Sequence, residues 1–143
     1  MRRVLVLMGS DSDRPTMQKG VDVLEEHGVD VEIVVSSAHR DPERTARLAA
    51  DAAGAGFGVV ICGAGLSAAL PGMVAAHTEL PVVRVPISAG TLGGLDALLS
   101  IAQMPPGVPV ATVGIDNSRN AAHLALRILA RSAPADAPGS ATS

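Results

Sequence analysis

Histidine and arginine stand side by side at positions 39 and 40, inside the string SSAHRD. An imidazole moves a proton near neutral pH, and a guanidinium makes a bidentate contact to phosphate. Upstream, Gly9-Ser10-Asp11-Ser12-Asp13 offers backbone N–H groups, two hydroxyls and two carboxylates where a helix begins. Such a loop can hold a phosphate on its amides and a ribose on an acid. The same residue types also serve as an N-cap and turn, so a purely local reading stays open beside the functional one. No Gly-Lys-Ser/Thr follows, so the loop is not a Walker loop, and without GxGxxG it is not a dinucleotide fingerprint.

A third string, GAGLSAALPG, has Gly63 and Gly65, which let backbone approach a ligand closely, together with Ala64 and the hydroxyl of Ser67. Tight packing of a helix on a sheet by small residues explains it equally well. Cys62, just before, reads as a small core residue, because a buried thiol without a cationic neighbour is inert. His27, His77 and His123 fall on helices or at their ends, where an imidazole is ordinary, and no catalytic role is expected of them.

These strings follow short apolar runs at Val4 to Met8, Val31 to Val35, Gly58 to Cys62, Val82 to Val85 and Val110 to Val113, the kind of run that suits strands covered on both faces. Between the runs lie segments of helical spacing. Pro15 to Glu26 carries Met17, Val21 and Leu24 on one stripe, and Asp41-Pro42-Glu43 opens a second helix with a cap, a proline and an acid in the first turn. Further helices are expected from about Ala68 to His77, from about Gly94 to Gln103, and from Ser118 to Arg131. Five alternations with right-handed crossovers predict a flavodoxin-like, three-layer α/β/α domain around a five-stranded parallel sheet. Ligands of such sheets bind beyond the carboxyl ends of the strands, where the three strings fall. A single domain over 1–131 and a small, polar, proline-rich disordered tail over 132–143 are expected.

Composition narrows the partners. The 143 residues carry a net charge of −3 with no dense run of Lys or Arg, so the electrostatic footprint of nucleic-acid binding is missing. With no Trp, no Tyr and one Phe, the chain has no aromatic platform for stacking bases or a flavin. A single cysteine cannot close an internal disulfide or build a multi-thiolate metal site, and it suits a reducing cytoplasm. The apolar run after Arg2-Arg3 is too short for a signal peptide, and no stretch is long enough to span a membrane.

The strings MGSDSD, SAHRDPER, GAGLSAALPGMVAAHTELPVVRVP and QMPPGVPVATVGI, in this order and spacing, resemble the N5-carboxyaminoimidazole ribonucleotide mutase family, also called the catalytic subunit of phosphoribosylaminoimidazole carboxylase. The resemblance spans about Val4 to Ala130. It implies a step of de novo purine synthesis in which the carboxylate on the exocyclic nitrogen of an aminoimidazole ribonucleotide moves to ring carbon C4. It further implies a nucleotide substrate and carbon dioxide, neither metal nor organic cofactor, and octamers with active sites at subunit contacts. By the same resemblance Ser10, Asp13 and Arg40 bind the nucleotide with Ser12 and Ser37 beside them, and His39 is the acid and base. Arg40 and the amides around Ser10, in the loop that begins at Gly9, would fix the 5′-phosphate, and Gly63, Ala64, Gly65 and Ser67 would line a small dry pocket for carbon dioxide.

The chain departs from the family at one informative place. The middle motif there reads closer to GAGGAAHLPG, with a second histidine where this chain has Ala69. The mutase reading stands first. Direct carboxylation of aminoimidazole ribonucleotide by carbon dioxide, and a paralogue acting on another azole nucleotide, are the enzymatic alternatives. A flavodoxin-like binding or signalling module is the non-enzymatic one. A phosphoacceptor domain would need an acid after strand three and a Lys after strand five, where the chain has Cys62-Gly63 and Gly114.

Overall fold

The computed structural model describes residues 2–66 and 69–132. Strands β1 (Arg3–Met8), β2 (Asp30–Val35), β3 (Val59–Gly65), β4 (Val82–Ile87) and β5 (Ala111–Thr112) alternate with helices α1 (Arg14–Glu26), α2 (Pro42–Ala52), α3 (Leu70–His77), α4 (Leu95–Ala102) and α5 (Ser118–Ser132). All strand pairs are parallel, and the order across the sheet is β2-β1-β3-β4-β5. The expected flavodoxin-like, three-layer architecture is therefore present. The middle histidine-free motif starts its helix at Leu70 rather than Ala68, and Ser67 and Ala68 lie outside the described residues, as does the expected tail from residue 133 onward; Ser132 still belongs to α5.

Strand position explains where the apolar runs behave as expected and where they do not. The last five residues of β1 and all of β4 are buried, as is β3 up to its last residue, because helices cover both of their faces. Edge strand β2 instead alternates at its start, with Asp30 and Glu32 exposed, and β5 shrinks to two exposed residues. Full cover was expected for both. An edge strand has a neighbour on one side only, and proline at 109 has no N–H to extend β5 backwards.

The two faces carry separate cores. Val4, Val6, Val21, Leu24, Ile61 and Val85 pack under α1 and α5, while Leu5, Leu7, Ala49, Val60, Leu70 and Val74 pack under α2 and α3. Each fully buried Val or Leu contributes about 1.5–3 kcal/mol of transfer free energy. Local signals fix the helix starts: Asp41 caps α2 by accepting from the Arg44 N–H at 3.2 Å, with Pro42 following.

Helix α1 is pinned by α5 at one point. The Ser118 hydroxyl accepts from the Gly20 N–H at 3.1 Å and donates to the Thr16 carbonyl, so it sits inside the α1 hydrogen-bond ladder. Only glycine permits this approach, because a Cβ at position 20 would lie 2.5 Å from the Ser118 carbonyl oxygen. The pin matters for what α1 carries at its amino end, the loop after β1. Among the described residues no helix is long and apolar enough to cross a membrane.

Candidate active site

The chain leaves β1 toward the β2 edge and returns to β3 on the other side, so the strand order reverses between β1 and β3. Loops diverge there and leave a crevice at the strands' carboxyl ends. A cavity of about 250 Å³ occupies that place. The loop after β1 supplies Gly9, Ser10 and Asp13, and the loop after β2 supplies Ser37, Ala38 and His39. The end of β3 and the start of α3 supply Ala64, Gly65, Leu66 and Leu70, and the loop after β4 supplies Ala89. A somewhat larger depression of about 300 Å³ lies between Leu5, Phe57 and the α2 side chains Arg44 and Asp51. None of the loops that follow the strands reaches it, so it is not where this fold assembles chemistry.

Local bonds hold the three loops in shape. The Ser10 hydroxyl caps the turn Asp11–Asp13 by accepting from the Ser12 N–H at 3.3 Å, and it shares a 2.9 Å bond with the Ser12 hydroxyl. Gly9 donates its N–H to the Gly63 carbonyl at 3.3 Å, which ties the β1 loop to β3. The Ser37 hydroxyl accepts from the Arg40 N–H at 3.2 Å, and the Ser37 carbonyl accepts from the Asp41 N–H at 2.9 Å, so a turn presents His39. Beneath it, the buried Ser36 hydroxyl bonds the Thr45 hydroxyl at 2.7 Å and fixes the loop to α2.

Seven of the expected site residues thus face one cavity: Gly9, Ser10, Asp13, Ser37, His39, Ala64 and Gly65. Ser12 and Arg40 stand outside its lining. Ser12 is turned to its own cap, and Arg40 is exposed beside the rim. Gly63 faces the opposite side of the sheet, where a Cβ would lie 2.4 Å from the Met17 sulfur. Period-two alternation along β3 sends residues 62 and 64 to one face and 63 to the other. Ser67 lies outside the described residues. His27, His77 and His123 are remote from the cavity lining.

Polar groups cluster on one side of the cavity and apolar ones on the other. Among the described lining residues, Asp13 and His39 are the titratable ones. Burial pushes the Asp13 carboxyl above the usual aspartate range, with a backbone hydrogen bond from Ser10 opposing it. Opposite stand Ala64, Leu66, Leu70 and Ala89. Leu66 holds a left-handed backbone with φ of 54°, unusual for a branched side chain, and is 53% exposed at the mouth. Ala69, in the position that differs from the family motif, is exposed and offers no hydrogen-bonding side chain.

Three features escaped the sequence reading. Leu66, Leu70 and Ala89 line the cavity; the string GAGLSAALPG and the loop after β4 contain them, but none was expected as a lining residue. Arg84 is fully buried in β4, inside a run read as apolar, and its own letter in VVRVP was the signal. It also makes Cys62 a thiol with a cationic neighbour, contrary to expectation. Burial nevertheless pushes that thiol up to about 12 against the pull of Arg84, so it stays protonated and inert.

Comparison with known proteins adds the family. The family model described as AIR carboxylase matches residues 3–137. The chain is 55% identical over 129 residues to the N5-carboxyaminoimidazole ribonucleotide mutase of Thermotoga maritima, covering 90% of this chain and 75% of that one. It is 57% identical to the protein of the same name from Pyrococcus abyssi, covering 90% and 74%. Among solved structures, Treponema denticola PurE superposes with a TM-score of 0.83 at 29% identity, covering 93% of this chain and 83% of that one.

Proposed function

This chain belongs to the AIR carboxylase family, and on that premise we propose that it is a mutase of de novo purine synthesis. It moves the carboxylate of N5-carboxyaminoimidazole ribonucleotide from the exocyclic nitrogen to ring carbon C4. The observation that carries this reading is the pairing of His39 with a small, largely apolar cavity at the strand-order reversal, facing the Ser10 and Asp13 loop.

The chemistry needs one proton group used twice. In the first step the N–C bond of the carbamate breaks, carbon dioxide leaves, and protonated His39 gives its proton to the nitrogen. In the second, C4 attacks carbon dioxide, a C–C bond forms, and neutral His39 removes the C4 proton. The imidazole ends as it began, and no external oxidant, reductant or nucleotide triphosphate is consumed. Between the steps, carbon dioxide must stay against the ring. Ala64, Gly65, Leu66, Leu70 and Ala89 supply an apolar wall with no group that could trap it, so proximity lowers the barrier. Ser10, Asp13 and Ser37 hold the ribose side with Ser12 supporting their loop, and Arg40 meets the 5′-phosphate from the solvent-exposed rim. Binding energy from that remote end orients the ring.

The reading extends to assembly and place. Leu92, Leu95 and Leu99 expose 59%, 49% and 59% of their surfaces beside and along α4, an apolar strip that a second copy would cover in an octamer. The enzyme works in the reducing cytoplasm, which suits a chain with one buried thiol.

The absence of a hydrogen-bonding side chain at Ala69 keeps direct carboxylation as a second reading. One experiment separates them. Purified protein is given either the carbamate-bearing nucleotide or aminoimidazole ribonucleotide with bicarbonate, each without ATP. Efficient consumption of the first is the expected result; preference for the second replaces the mutase with a carboxylase, and turnover of neither removes both.

A further inference from the structure

Arg84 is the largest fully buried side chain among the described residues, 0% exposed in the middle of the sheet. Burying a guanidinium is strongly unfavourable unless its N–H groups find acceptors. Two do: Nη2 donates to the Ala64 carbonyl and Nη1 to the Ser100 hydroxyl, both at 3.1 Å. Ser100 in turn donates to the Ala97 carbonyl at 3.1 Å, so the anchor at that end is α4 itself. Among the described residues Nε has no hydrogen-bond partner, the nearby Asp96 Oδ1 is equally unpartnered, and none of the ion pairs includes Arg84. Pure stability does not explain this arrangement, since an apolar side chain of similar size would fill the space without a buried charge.

What Arg84 holds is the wall of the cavity. Ala64 lines it, and Gly65 follows with no slack: a Cβ there would lie 2.9 Å from the Ala89 Cβ and 3.1 Å from the Ile87 carbonyl oxygen. A displacement of the Ala64 carbonyl therefore passes directly to Gly65 and Leu66, where the apolar wall faces His39 across the cavity. We propose that Arg84 is a positioning residue of this site, its planar fork bridging Ser100 on α4 to the Ala64 carbonyl and so fixing the end of β3 against which the reacting carbon dioxide is held. The proposal rests on the mutase reading for the identity of what is held, not for the bridge itself. In the mutase reading the nucleotide's sugar and phosphate groups belong to the β1 and β2 loops, to which Arg84 makes no direct bond.

The test uses Arg84→Met and Arg84→Lys in the full chain. Positioning predicts that Arg84→Met lowers kcat by about ten-fold or more, within the roughly 10²-fold that a 1 Å misplacement brings, with KM changed by less than about three-fold. Arg84→Lys, whose ammonium reaches one acceptor but not both, recovers part of the loss. The chain's one cysteine is buried beside Arg84 and reports folding: in a sound variant Cys62 stays as slow toward a thiol reagent as in the parent. Should Arg84→Met expose Cys62, Ser100→Ala removes one anchor from the less buried end and carries the same test, with a smaller fall in kcat at constant KM. Amide exchange at Gly65 and Leu66, faster in the variants while β1 is unchanged, reads the bridge even if the parent turns over neither nucleotide, so a failed functional reading is told apart. A folded variant with parental kcat and parental exchange at these amides overturns the proposal, as does a loss confined to KM.

Discussion

The contact between α1 and α5 permits a worked prediction. In Gly20→Ala the new methyl group would sit 2.5 Å from the Ser118 carbonyl oxygen and 2.9 Å from its carbon, against 3.4 Å for ordinary contact. Both atoms are main chain, so no side chain can swing aside, and the helices must part by roughly 1 Å. Overpacking of this kind costs about 1–3 kcal/mol. Parting also stretches the two Ser118 hydroxyl bonds, each worth about 1 kcal/mol, while alanine regains about 1 kcal/mol of helix propensity. The balance is a loss of about 2–4 kcal/mol, or roughly 8–16 °C in Tm for a chain of this size. Thermal unfolding followed by circular dichroism measures it. Because the clash is with main-chain atoms, Ser118→Ala does not restore the Tm of Gly20→Ala. Substrate affinity should fall as well, since α1 carries the Ser10–Asp13 loop. An unchanged or higher Tm in Gly20→Ala refutes the idea that this approach is what requires glycine.

Two other expectations follow from the site and the surface. The Asp13 carboxyl has a folded-state pKa above its unfolded value near 3.8, so its ionisation opposes folding: stability is full below that value and declines as pH rises through the folded pKa. Asp13→Asn should therefore raise Tm at pH 7, with the gain vanishing in acid below the unfolded pKa, while weakening nucleotide binding; a gain that persists in acid contradicts the sign. Leu99→Lys should shift the assembly to smaller species in light scattering with helix content intact, and an unaltered mass removes the α4 strip from the subunit contact.

Much of this architecture is legible in the residues because the central strands are covered on both faces, α2 carries its own cap in Asp41, and α1 buries the stripe of Met17, Val21 and Leu24. β1, β3 and β4 read as continuous apolar runs for that reason. The edges read less well: full cover was expected for β2 despite the charged Glu32 within its run, and nothing local announced that β5 would be two residues long. In the site, the loops that follow β1 and β2 are visible in GSDSD and SSAHRD as small residues, hydroxyls and charge at strand ends, although the same hydroxyls also cap and turn the chain locally. The alternation of β3 sends Gly63 to Met17 and Ala64 to the cavity, a distinction that depends on the strand's phase and not on its composition. Arg84 was hidden for the opposite reason: a charged letter among valines reads as an exception, and only the fold shows the two acceptors that its Nη groups find.

The central claim is that His39 carries the proton in both halves of the reaction. Its most direct test is His39→Asn, which keeps the size and a hydrogen-bonding tip but cannot exchange a proton near neutral pH. The account predicts nucleotide binding close to the parent's, measured by calorimetry, with turnover of the carbamate-bearing nucleotide reduced by about 10²–10⁴-fold. Parental turnover in that variant contradicts it.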